Sequence, residues 1–172
     1  MKLVLNTVAM SLTSILLMTV LTLGITKVHA QTGEIKNELS QESLKKSQQE
    51  LIDLFFAAAK TGNQEVINEF LKNGFPVDVR NSQGYTALMM AAYYGQEPVV
   101  DTLMKYGADR CARDNKGNTA LMGAIFKLEW GVVKQLRKVD CDANAKQTGQ
   151  KTVAEFAKVI GQEKKLQEVM KK

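Results

Sequence analysis

The stretch GYTALMMAAYYG, residues 84–95, returns 33 positions later as GNTALMGAIFKL, residues 117–128. Two copies behind a glycine at a fixed interval are either two halves of an active site or one structural unit written twice. The rest of the chain decides between them. Gly62 pairs with Gly95, Gly74 with Gly107 and Gly84 with Gly117 at the same 33-residue interval. Thr86, Thr119 and Thr152 keep it, as do Val66, Val99 and Val132, and Phe70, Leu103 and Leu136. A period sustained this far marks a stacked repeat. Four units follow, at about 48–80, 81–113, 114–146 and 147–172, the first without its leading loop and the last shortened.

Each unit reads as helix, turn, helix. Thr86 is placed to cap a helix whose run Ala87 to Ala92 carries small alanines on one face. Gly95 supplies the freedom of a tight turn, and Pro98 stands early in the next helix, where its missing N–H costs little. Val99, Val100, Leu103 and Met104 then recur at the spacing of a buried stripe. Helices this short are marginal alone, so their stability has to come from stacking.

These motifs, G-x-T-A-L-M-x-A, the turn YYGQ and the ending YGAD, resemble the ankyrin repeats. The resemblance covers about residues 48–172. It implies an all-α solenoid of about four helix–turn–helix units, with hairpin loops projecting to one side and polar end units as caps. The chain departs from the family pattern at Ala87 and Ala120, which replace a proline, and at Met89 and Met122, which replace a histidine. That histidine helps to tie loops by hydrogen bonding, whereas methionine can only pack. In the third unit, Leu128-Glu129-Trp130-Gly131 stands where Gly95-Gln96-Glu97-Pro98 stood, so the turn is expected to shift towards Gly131. Asp140 occupies the place of Gly74 and Gly107.

The chain has 172 residues, 45% hydrophobic and 24% charged, the composition of one ordinary domain. Residues 1–30 stand apart: Lys2 precedes an apolar run that is uncharged to Ile25, and the segment ends in Val28-His29-Ala30. This is the order of a secretory signal peptide cleaved after Ala30. A retained membrane anchor is the rival, because the run is long enough to span a bilayer. Cleavage removes Lys2 and Lys27 and no acid, taking the formal net charge from +5 to +3. That is too mild to argue for nucleic acid. It also removes His29, the sole histidine. Without it there is no Ser-His-Asp or Cys-His nucleophile system and no histidine-containing zinc site. Residues 31–47 are polar, and read as a leader or as an extension of the first helix.

No convergent catalytic group, phosphate-cradling loop, metal set or cofactor motif is present, so the expected function is non-catalytic, with no small-molecule substrate. A binding surface is sought where the units differ. All four tyrosines, Tyr85, Tyr93, Tyr94 and Tyr106, lie in the second unit, at positions that are not tyrosine elsewhere. The resemblance puts these positions on the concave side. Phe126 and Lys127 align with Tyr93 and Tyr94. Aromatic rings with polar tips suit a protein hot spot, and the alternative is that they cover helix ends. The loop tips 80–83, 113–116 and 146–148 form a mildly basic rim that includes Arg113 and Lys116 and favours an acidic partner.

Cys111 and Cys141 sit in successive exits from second helices. Compartment favours a disulfide, while their offset of three positions within the unit leaves separate thiols as the alternative. The expected protein is an exported interaction module that binds a protein partner in the bacterial periplasm. Small periplasmic ankyrin proteins that it resembles support other envelope proteins, peroxide-defence enzymes among them. The rivals are an inhibitor or immunity protein against an envelope-acting toxin, and a membrane-tethered scaffold if residues 1–30 are retained.

Overall fold

A computed structural model describes residues 40–143, 145 and 148–171. The expected signal segment, the leader up to residue 39 and the loop-tip positions 146 and 147 lie outside the described residues. The chain forms two units, one ending at Gln49 and one beginning at Glu50. In the first, residues 40–49 are helical and exposed. Among the described residues every regular element is a helix and none is long and apolar enough to cross a membrane.

The second unit runs α1 (50–61), α2 (Gln64–Lys72), α3 (Ala87–Tyr93), α4 (Glu97–Lys105), α5 (Ala120–Lys127), α6 (Trp130–Leu136), α7 (Val153–Val159) and α8 (Glu163–Met170). The repeated threonines start the inner helices. Thr86 and Thr119 accept from the Met89 and Met122 N–H groups, each at 3.3 Å. Thr152 goes further: it accepts from Glu155 N–H at 3.1 Å while the Glu155 carboxylate takes the Thr152 N–H at 2.9 Å. Such caps satisfy donors that the first helical turn leaves open, and each is worth about 1 kcal/mol.

The turn that follows keeps one geometry in the second and third units. After α3, Gly95 lies at φ 69° and Gln96 N–H donates to Ala91 O at 2.9 Å. After α5, Leu128 takes the glycine's place at φ 65°, and Glu129 N–H donates to Ala124 O at 2.9 Å. The turn is therefore not displaced towards Gly131, as its sequence suggested. Stacking against the flanking units holds the register, and Leu128 is forced into the left-handed region to keep it. Asp140 has the opposite effect. With no glycine to close a left-handed cap there, the outer helix stops early: α4 ends at Lys105, whose counterpart 33 residues on is Lys138, whereas α6 ends at Leu136.

Helices α3, α5 and α7 pack in sequence as an inner layer, and α2, α4, α6 and α8 as an outer one. Phe55, Leu88, Val99, Val100, Leu103, Met122, Ile125, Val132 and Val133 fill the space between them and are fully buried. Met89 is buried with them, so both methionines pack where the family histidine would hydrogen-bond. Each such side chain contributes about 1.5–3 kcal/mol. Three glutamines stitch neighbouring units: Gln64 Nε2 to Thr102 Oγ1 at 2.8 Å, Gln96 Nε2 to Lys60 O at 3.0 Å, and Gln135 Nε2 to Glu97 O at 3.5 Å.

The loops project as hairpins. Asn81 Oδ1 accepts from the Gln83 and Tyr85 N–H groups, and Asp114 Oδ1 from those of Lys116 and Asn118. Successive loops bond directly, Asn115 N–H to Gln83 O and Asn115 Nδ2 to Ser82 O, both at 3.1 Å. Gly84 is required at this crossing. Its φ is +78°, and a Cβ there would stand 2.9 Å from Asn115 N.

Cys111 and Cys141 are joined in a disulfide, with their Cα atoms 5.1 Å apart. The early end of α6 lets its exit segment absorb the offset between the two positions.

Candidate interaction groove

Between the hairpin loops and the inner helices lies a groove of about 570 Å³. Its floor and walls come from three consecutive units: Met90, Tyr93 and Tyr94 of the second, Gly123 and Phe126 of the third, and Phe156 of the fourth. Asn81, Gln83, Asp114, Lys116, Asn118 and Thr119 line the loop side. The groove thus combines an apolar base with a polar margin, the arrangement expected of a protein-binding surface.

Tyr85, Tyr93, Tyr94, Phe126 and Lys116, all expected from the sequence to bind, come together here. Tyr93 anchors the cluster. Its ring centroid lies 5.2 Å from that of Tyr94 at 68°, and 6.2 Å from that of Phe126 at 20°. Lys127 Nζ stands 5.2 Å from the Tyr93 ring centre, and Lys60 Nζ 5.1 Å from that of Tyr94. Each such cation–ring contact is worth about 0.5–1 kcal/mol at an exposed site. It also holds a positive charge beside the groove. Tyr94 remains 40% exposed and Phe126 53%, so neither ring is consumed by the core. Tyr85 and Tyr93 are half-buried and pack at the base.

Two expected residues lie elsewhere. Tyr106 closes α4 in the outer layer and is not part of the groove. Arg113 is not an open rim charge: its side chain is only 11% exposed. Its guanidinium donates to Gly117 O at 2.7 Å, Lys151 O at 3.2 Å and Cys141 O at 3.5 Å, and Asp142 lies 3.8 Å away. Arg80 does the same one unit earlier, reaching Gly84 O at 3.0 Å and Arg113 O at 2.7 Å. In each arginine a single nitrogen, Nη1, bridges a carbonyl of its own loop and one further along the chain, and so braces one unit to the next.

Met90, Gly123 and Phe156 were not singled out by the sequence reading. The signal was present in the register, since each is the fourth residue of its inner helix. Gly123 was the more visible clue, because a glycine inside a helix costs about 0.5–1 kcal/mol relative to alanine.

Comparison with known families agrees with this architecture. The family described as ankyrin repeats in three copies matches residues 54–147, more than half of the chain. No curated protein matches the chain. Ankyrin repeats are protein-interaction modules and are generally non-catalytic, which fits a broad groove built from side chains of three units. The period of the helices, their caps, their hairpin loops and the family match agree: this chain belongs to the ankyrin-repeat family.

Proposed function

We propose that the chain is an exported, non-catalytic module that binds a protein partner in the bacterial periplasm, and that the partner is an envelope protein. The observation that carries the binding reading is the aromatic cluster along one groove, in which Tyr94 and Phe126 stay exposed beside the half-buried Tyr93. Rings left uncovered along a groove give a partner large, rigid contact area at small entropic cost. Export rests on the order of charge, apolar run and small residues in positions 1–30. A disulfide between Cys111 and Cys141 accords with an oxidising compartment.

The test is affinity purification from periplasmic extract with the unaltered protein and with Tyr94→Ala and Phe126→Ala. A partner that co-purifies with the first and is weakened about tenfold or more by each substitution supports the groove. Undiminished capture by both variants refutes it. Sequencing the N-terminus of the exported protein checks the compartment, with Gln31 expected as the first residue.

A further inference from the structure

The base of the groove is set by one position per unit, occupied by Met90 in α3, Gly123 in α5 and Phe156 in α7. Gly123 is the anomaly. It is helical, without the positive φ that most of the turn glycines have. Nor is space short, because an added Cβ would meet nothing nearer than Tyr93 Cδ2 at 3.8 Å, an ordinary contact. Neither backbone nor packing demands glycine here, and alanine would make a better helix. What the glycine does provide is a dent one side chain deep, in register between Met90 and Phe156 and beside Tyr93 and Phe126.

Resting on the groove reading above, we propose that this dent receives one aromatic side chain from an acidic segment of the partner protein. A bare Cα is a flat floor on which a ring can lie. Around it stand a thioether and three rings, groups that pack favourably against an aromatic face or edge. The charge around the dent selects the flanks. Lys116 lines the groove, and Lys127 and Lys60 hold their ammonium groups at the Tyr93 and Tyr94 rings. The acid that lines it, Asp114, is buried, and its carboxylate accepts from the N–H groups of Lys116 and Asn118 and from the Asn118 amide. Glu155 turns its carboxylate to the Thr152 N–H. The face therefore offers positive charge to whatever flanks the ring, and electrostatic complementarity makes those flanks acidic.

The experiment titrates the protein with three acetylated pentapeptides, following the Met90 methyl resonance. The first has phenylalanine between two pairs of glutamates, the second alanine at the centre, and the third phenylalanine between lysines. The first is expected to bind saturably, and at least about tenfold more tightly than either control. Gly123→Leu fills the dent and should abolish that preference, while its unfolding midpoint stays at or above that of the unaltered protein. Gly123→Ala should weaken the first peptide by a smaller factor. Equal binding of the alanine-centred or lysine-flanked peptide overturns the proposal, as does the absence of saturable binding or full binding by a folded Gly123→Leu. The two readings fail separately. A native partner lost on Phe126→Ala but held by Gly123→Leu removes the anchor and leaves the groove; one unaffected by either removes both.

Discussion

The Arg80 guanidinium donates to the main-chain carbonyl of Arg113 at 2.7 Å, and Arg113 holds Arg80's own place one unit later. Arg113 in turn reaches into the fourth unit, to Lys151 O at 3.2 Å, 38 positions on. Successive units are therefore tied by arginine side chains that reach the next unit's main chain, as well as through the apolar core.

Arg113→Ala is expected to destabilise the protein by about 1–3 kcal/mol, because the part-buried bonds to Gly117 O and Cys141 O lose their charged donor. Arg113→Lys should recover only part, since one ammonium can replace Nη1 between Gly117 O and Lys151 O but supplies no second nitrogen for Cys141 O. Urea unfolding of the three proteins measures this. An unchanged midpoint for the alanine variant would return Arg113 to the open rim.

Leu128→Gly should raise stability. Leucine at φ 65° costs about 1–2 kcal/mol in the left-handed region, and glycine occupies it freely. Part of that gain is offset by the greater freedom of glycine in the unfolded chain, leaving a net of about 0.5–1 kcal/mol. Because the Leu128 side chain is half exposed, little packing is lost. A lowered melting temperature would show that its contacts outweigh the backbone.

Gly123→Ala is expected to raise the melting temperature by a few degrees, corresponding to about 0.5–1 kcal/mol of helix propensity. A new Cβ has room, with Tyr93 Cδ2 at 3.8 Å. Thermal unfolding followed by circular dichroism decides it, and a decrease would mean that the helix has another need for glycine.

Reduction of the Cys111–Cys141 bridge, or Cys111→Ala with Cys141→Ala, should cost roughly 3–4 kcal/mol in the chain-entropy model for the 30-residue separation. Equilibrium unfolding with and without reductant gives the value. A difference below about 1 kcal/mol would mean that the closed loop is already restrained in the unfolded chain.

The fold was legible because its signals are local and periodic. Thr86 and Thr119 announce their helices, and the valines at 66, 99 and 132 mark the outer layer's stripe. Leu128 misled because its residue type opposes the turn, and only the flanking units hold it there. Arg113 misled for a related reason. A basic residue beside a loop tip reads as solvated, and what holds it inward is the Gly117 carbonyl of its own hairpin together with carbonyls of Cys141 and Lys151 that the sequence does not place beside it. The aromatic cluster was visible as a departure from the repeat. Gly123 was not, since a short side chain looks like an omission until its neighbours are in place.

The bridge between Cys111 and Cys141 also sets how the molecule yields to load. Pulled from its ends, the second unit can give up the fourth repeat, α7 and α8, without breaking a covalent cross-link. The span from 111 to 141 cannot pay out. A stretched molecule should stop short of its full contour by roughly 100 Å, at about 3.3–3.6 Å per residue, and regain that length only when reductant is added.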